Sequence, residues 1–222
     1  MKAYEEVYKG NAEKLWCGWA VGFKEWFMRF SHKPHLKKAI RWLEIPPDCR
    51  ILDVGCGSGW AVYEMSRYAT KGRLIGIDIS PAMVAKAGSS YGEPDRVTFL
   101  HGEAEQIPLE DNSFDLAVSF ESVFFWPDLS KALTEIHRVL APGGRVVIFT
   151  GIYEGMKFQR FKLKISRFFV GNIAILVRKA QEYEAVFVDA GFSEVSHKMV
   201  AGTLCIFGTK SVGASKIETW RK

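Results

Sequence analysis

No stretch of this sequence stays apolar for long enough to cross a bilayer. The longest nearly apolar run, Phe168 to Val177, is ten residues broken by Gly171 and Asn172, about half of the roughly 20 that a spanning helix needs. Cysteine is sparse. Cys17, Cys49, Cys56 and Cys205 stand far apart without a Cys-x-x-Cys pair, which suits neither a zinc site nor a disulfide framework. No metal is expected, and a reducing, cytoplasmic setting is. Lys2, Glu5, Glu6, Lys9, Glu13 and Lys14 precede any apolar stretch, unlike a secretory signal. Internal repeats, low-complexity tracts and an interdomain linker are also missing, so 222 residues read as one domain.

Charge of one sign is scarce until late in the chain. The net charge is +5, yet residues 151–222 hold 12 basic and 6 acidic side chains, and the rest balance to within one. A basic region can draw nucleic acid, anionic lipid or an acidic substrate, although a solvated helix face explains it as well.

Apolar bursts alternate with helical segments, the pattern of βαβ units on a parallel sheet. Strands are predicted at Arg50–Val54, Leu74–Asp78, Val97–His101, Leu116–Phe120 and Arg145–Thr150. Trp60 to Tyr68 reads as helix. Ser80 and Pro81 open another as N-cap and first residue, and Asp128 caps a third. That third helix stops at Ala141-Pro142-Gly143-Gly144, a breaker before the next strand. Ile173 to Ala190 reads as helix ending at Gly191, and Glu194–Val200 with Thr203–Gly208 as a closing hairpin. Residues 1–45 are predicted to be helical and rich in aromatics, and 151–171 to mix basic and aromatic side chains.

The first strand runs through Asp53-Val54 into Gly55-Cys56-Gly57-Ser58-Gly59 before a helix. Glycines there permit a tight turn and close ligand approach, and the helix start offers unpaired N–H groups. Two nucleotide signatures are lacking. Trp60 stands where the dinucleotide fingerprint needs its third glycine, and no Gly-Lys-Ser/Thr follows. Asp53 beside the loop would repel a pyrophosphate and favour an ammonium or sulfonium. Asp78, about 20 residues on, can accept both hydroxyls of an adenosyl or a nicotinamide-cofactor ribose; alternatively it helps to start the Ser80 helix.

The sequence resembles the class I S-adenosyl-L-methionine (SAM) dependent methyltransferases, in the ubiquinone/menaquinone-biosynthesis-type branch that acts mainly on small molecules. Arg50 to Gly59, Gly76-Ile77-Asp78-Ile79-Ser80-Pro81-x-Met83, Gly102 to Pro108, Asn112-Ser113-Phe114-Asp115 and Ile136-x-Arg138-Val139-Leu140-x-Pro142-Gly143-Gly144 carry the likeness in order across about residues 48–150. It implies an α/β, Rossmann-like, seven-stranded, mostly parallel sheet with helices on both faces and an antiparallel C-terminal hairpin, plus N-terminal helices and a small lid insertion. The layout expected is an N-terminal cap at 1–45, a cofactor core at 46–150, a lid at 151–171, helix and hairpin at 172–210 and a tail at 211–222.

The resemblance also implies roles. Gly55, Cys56 and Gly57 line the methionine moiety, with Asp53 supporting the loop electrostatically. Asp78 binds the ribose, and Ile79 and Met83 flank the adenine. Glu103 and the Ala104 backbone read its edge, and the Ser119 carbonyl touches the amino-acid end. Core packing explains Met83 as readily, and a solvated turn explains Glu103. Relatives often carry histidine where Phe124 and Phe125 stand here, so a role for such a histidine is absent. No catalytic base is assigned; His32, His35, Glu121 and Tyr153 are candidates by position only.

The function expected is methyl transfer from SAM, with S-adenosyl-L-homocysteine as product, to a small-molecule acceptor of unspecified identity. No Asn/Asp-Pro-Pro-Tyr block or nucleic-acid module supports a macromolecular substrate. A non-catalytic SAM-binding module and a nicotinamide-dependent oxidoreductase are the alternatives.

Overall fold

A computed structural model describes residues 35–151, 153–155 and 176–212. The expected N-terminal cap up to residue 34, most of the expected lid and the tail from 213 lie outside them, as does His32. The elements are α1 (35–42), β1 (Ile51–Val54), α2 (Trp60–Ser66), β2 (Leu74–Asp78), α3 (Pro81–Tyr91), β3 (Val97–His101) and β4 (Phe114–Phe120). A 3-10 turn (Val123–Phe125), α4 (Leu129–Val139), β5 (Leu140–Thr150), α5 (Ala180–Asp189), β6 (Phe192–Val200) and β7 (Thr203–Lys210) follow.

The strands form one seven-stranded sheet in the order β3-β2-β1-β4-β5-β7-β6. The first five are parallel, and β7 is antiparallel to both β5 and β6. The chain starts in the middle at β1, walks outward to β3, then jumps back to β4. That jump is a topological switch point, and ligands of open α/β sheets bind there, beyond the carboxyl ends of the strands.

Side chains alternate across the sheet with period two. Leu52, Ala117, Val146 and Ile148 face one layer, with Leu133 and Ile136 of α4 and Tyr183 and Phe187 of α5. Ile51, Leu116, Val118, Val147 and Phe149 face the other, with Ile40 of α1, Met65 of α2 and Ala87 of α3. Each fully buried aliphatic or aromatic side chain contributes about 1.5–3 kcal/mol, so the two layers hold the sheet between them.

Helix starts follow the chemistry read from the sequence. The Ser80 hydroxyl accepts from the Met83 amide at 3.2 Å with Pro81 at the first helical position, and Asp128 Oδ1 accepts from the Lys131 amide at 2.9 Å. The second helix ends two residues early at Ser66, β4 starts two early at Phe114 and β7 runs two further to Lys210; three other boundaries differ for reasons the structure shows. The Ala141–Gly144 breaker lies inside β5, because Phe114 pairs with Leu140 and the register then shifts before Leu116 meets Arg145; Gly143, at φ 83°, absorbs the irregularity. Residues 176–179 are not helical: α5 starts at Ala180, where Glu182 Oε2 accepts from the Lys179 amide at 2.9 Å. β6 starts at Phe192, two residues early, because a register irregularity at Ser193/Ser196, with Glu194 at φ 52°, lets the strand pair across it.

Candidate cofactor and acceptor site

The glycine loop leaves β1 at the switch point and is stitched to the end of β2. The Gly55 and Cys56 amides both donate to the Ile77 carbonyl at 2.9 Å, and the Gly57 amide donates to Asp78 Oδ2 at 2.8 Å. Asp78 Oδ1 accepts from the Ser80 amide at 2.9 Å. One carboxylate therefore fixes the loop and starts α3 together. Each carboxylate oxygen can accept more than one hydrogen bond, so capacity for a ribose hydroxyl remains on both. Burial pushes the Asp78 carboxyl above its usual range, while the Ser80 and Gly57 amides and the charge of His101 pull it back.

Two glycines in the loop do different things. Gly57, at φ 52°, has no atom within 4 Å of where a side chain would begin, so its backbone lies against open space. At Gly59, with φ 83°, a β-carbon would sit 2.7 Å from Ala87 Cβ and 2.8 Å from the Phe99 ring. Gly57→Ala should therefore fold, paying only the left-handed strain of roughly 1–2 kcal/mol, and lose cofactor affinity because its methyl fills the cradle. Gly59→Ala adds overpacking of about 1–3 kcal/mol and should melt well below the parent. Thermal melts with and without S-adenosyl-L-homocysteine separate the two; equal ligand stabilisation in Gly57→Ala and the parent would refute the cradle.

Asp53 is the anomaly beneath this loop. It is 1% exposed, and neither carboxylate oxygen has a hydrogen-bond partner. Burial pushes its pKa up to about 8, with the charge of Asp78 adding to the rise. An isolated buried carboxylate is costly unless something compensates it. A cationic ligand supplies that compensation and a pyrophosphate does not, so the residues fit a sulfonium- and ammonium-bearing cofactor.

The remaining expected positions lie near or past the carboxyl ends of β1 to β4. Cys56 is buried, Ile79 half-buried and Met83 5% exposed. Glu103 bridges to Gln106 in the turn after β3, beside the buried Ala104. Ser119 is fully buried at the end of β4, and its hydroxyl lies 2.6 Å from that of Ser122. Ser122 in turn donates to the Val54 carbonyl at 2.9 Å, so Ser119 supplies the hydrogen between the two hydroxyls.

Ser122 is the residue that sequence reasoning missed. Its Oγ and Cβ stand against the α-carbon face of Gly55, where a side chain would begin. It thus ties β4 to the start of the loop. No local motif announces it, since the contact spans 68 residues. Its neighbour Glu121 adopts φ 57°, a left-handed conformation that non-glycine residues hold where the surroundings impose it. Here the Glu121 amide donates to Phe149 O, and Glu121 Oε2 accepts from the Gly151 amide, both at 2.9 Å.

Of the three described positional candidates for a base, Glu121 is the one next to Ser122, which touches the loop at Gly55. His35 Nδ1 lies 2.9 Å from the Ala201 carbonyl and Tyr153 donates to Met199 Sδ at 3.6 Å, both at the β6–β7 hairpin. No cluster of three or more metal-ligating side chains occurs among the described residues.

Residues 52–148 match the family described as Methyltransferase domain. The chain is 29% identical over 201 residues to a sterol 24-C-methyltransferase of Gibberella zeae, covering 84% of this chain and 52% of that one. It is 31% identical over 155 residues to the chloroplastic 2-methyl-6-phytyl-1,4-hydroquinone methyltransferase of Arabidopsis thaliana, covering 69% and 43%. The chain spans about half the length of the curated relatives it matches. Among solved structures, a Haloferax volcanii methyltransferase in complex with its Trm112 activator superposes with a TM-score of 0.77 at 24% identity, over 88% of this chain and 97% of that one. A Thermotoga maritima SAM-dependent methyltransferase superposes at 0.65 with 25% identity, over 85% and 94%. With the switch-point loop and the sheet order already in place, these matches put residues 52–148 in the class I SAM-dependent methyltransferase domain family.

Proposed function

We propose that this chain transfers a methyl group from SAM to a small-molecule acceptor. The observation that carries the reading is Asp78, which clamps the Gly57 amide and the Ser80 amide while the backbone of Gly57 faces open space. Bound there, SAM supplies a methyl group on a positively charged sulfur, open to displacement. The protein's share is to bind and orient. Asp78 holds the ribose, Ile79 and Met83 flank the adenine, Glu103 and the Ala104 backbone read its edge, and Gly55, Cys56 and Gly57 line the methionine end. Asp53 balances its charge from below, and Ser119 meets its amino-acid end. Holding two reactants in near-attack geometry contributes on the order of 7–11 kcal/mol, so no general base is required for an acceptor that is already anionic.

The relatives named above act on a sterol and on a 1,4-hydroquinone, both small oxygen-bearing ring compounds, which supports an acceptor of that size. The reading keeps one domain with the boundaries read from the sequence. The buried free thiols of Cys49, Cys56 and Cys205 suit a reducing, cytoplasmic setting, and no helix among the described residues is long and apolar enough to cross a membrane.

Calorimetry with SAM, S-adenosyl-L-homocysteine and NAD tests the cofactor. Binding of the first two and not the third is expected, and preference for NAD would overturn the reading. Incubation with SAM and a metabolite extract should then yield S-adenosyl-L-homocysteine and a product heavier by one methylene. SAM binding without turnover would favour the non-catalytic alternative.

A further inference from the structure

The end of β2, where Asp78 stands, is also held from the edge of the sheet. β3 is the edge strand beside β2, and their parallel pairing ends at Asp78↔His101. Two bonds continue past that pair. The Gly102 amide donates to the Asp78 carbonyl at 3.1 Å, and Nε2 of the exposed His101 ring lies 3.1 Å from the Ile79 carbonyl. A carbonyl oxygen only accepts, so Nε2 carries the hydrogen. Both the neutral ring and the protonated one can keep it there, so the bond does not depend on the charge of the imidazole.

The peptide unit between Ile79 and Ser80 is thereby fixed at both ends. Its C=O is held by His101 and its N–H by Asp78 Oδ1. A peptide unit is planar, so the two ends turn together. Release of the carbonyl frees the unit to rotate, and rotation takes the N–H away from Asp78. The other oxygen of that carboxylate holds the Gly57 amide at 2.8 Å, so the disturbance passes into the glycine loop. The fold itself does not need this bond. α3 is started by the Ser80 hydroxyl and by Pro81 at its first position, and β3 is already paired with β2 from Leu74↔Val97 to Asp78↔His101. What the His101 bond adds is the orientation of one peptide, in the turn that carries Asp78 and Ile79.

We propose that His101 is a positioning residue of the cofactor site, whose hydrogen bond to the Ile79 carbonyl locks the Ile79–Ser80 peptide in the orientation that aims Asp78 at the ribose and Ile79 at the adenine. It acts through Asp78 and Ile79 and needs no contact with the cofactor. This assignment rests on the reading that Asp78 and the glycine loop hold SAM.

The test compares two substitutions in the full chain. His101→Leu removes the donor, whereas His101→Gln places a side-chain N–H at the same number of bonds from the backbone. The position is exposed, so neither change threatens the fold. In calorimetry with S-adenosyl-L-homocysteine, His101→Leu should bind roughly tenfold more weakly than the wild type, the upper end of what one hydrogen bond contributes. His101→Gln should bind within about threefold of it. Residue-resolved hydrogen exchange on the free proteins reads the peptide directly. The Ser80 amide should exchange roughly tenfold faster in His101→Leu, with the β1 amides unchanged, and His101→Gln should restore its protection. Affinity in His101→Leu within about twofold of wild type, equal weakening by both substitutions, or unchanged exchange at Ser80 would each overturn the proposal. The two readings fail differently. A wild-type protein that does not bind S-adenosyl-L-homocysteine sinks the cofactor reading and this assignment with it, whereas normal wild-type binding that survives in His101→Leu sinks the assignment alone.

Discussion

Asp78→Ala is expected to weaken binding of SAM by about two to four orders of magnitude. Two hydrogen bonds from ribose hydroxyls to a carboxylate are worth about 1.5–3 kcal/mol each, and every 1.4 kcal/mol is a factor of ten. The geometry adds a second loss. Without the carboxylate, the Gly57 amide and the fully buried Ser80 lose their acceptors, and an orphaned buried amide costs about 1–3 kcal/mol. The variant should therefore be both less stable and less well organised at the loop. Asp78→Asn separates the two effects, because its single carbonyl oxygen can still serve one amide. Calorimetry and melts on both variants provide the check. Affinity within threefold of wild type in Asp78→Ala would remove this residue from the cofactor site and leave it as the start of α3.

The second large effect is on pH dependence, through Asp53. Its folded pKa of about 8 lies far above the value near 3.9 of an unfolded aspartate. The folded state therefore binds the extra proton between those values. The resulting stability is fully present below about pH 4 and is lost as pH rises through about 8, by several kcal/mol at roughly 1.4 kcal/mol per unit. Asp78, also raised by burial, acts in the same direction, and the Cys56 thiol beside them is pushed up by burial and by both carboxylates. The free protein should melt progressively lower from pH 5 to pH 8 in this respect, and Asp53→Asn should flatten that slope. A cation in the crevice reverses the preference. Binding SAM near pH 7 should expel up to about one proton, seen as a dependence of the calorimetric heat on the ionisation enthalpy of the buffer. Asp53→Asn should bind without that release. A wild-type protein whose binding heat is the same in phosphate and in Tris would show that Asp53 is not the counter-charge.

What could be read from the sequence was whatever is local. Ser80 and Asp128 cap their helices because each needs only an amide three residues on. The glycine loop, Asp78 and the alternation of Leu116, Ala117 and Val118 between two layers are likewise set within a few residues. The boundaries that moved were settled by pairing across the sheet. Pro142, Gly143 and Gly144 look like the end of an element, yet Leu140 finds Phe114 and the strand begins there. Ser122 escaped for the same reason. It looks ordinary in its own segment, and its meaning comes from Val54 and Gly55, which the fold brings to it from far along the chain.

The place of β7 governs how such a chain can be completed. It is the last of the described strands in sequence, yet it sits between β5 and β6, with pairing from Arg145↔Thr209 to Thr150↔Leu204 on one side. During synthesis β5 therefore emerges with one edge open, and that edge stays a template for unwanted pairing until residue 210 is available. The strands that hold the glycine loop can assemble earlier, from contacts close in sequence. Closure of the far side must wait for the long-range docking of the final hairpin, the slower kind of event in folding. A ribosome stalled before Thr203 would thus present a nearly finished nucleotide crevice on a sheet with an adhesive flank, a species for chaperones to shield.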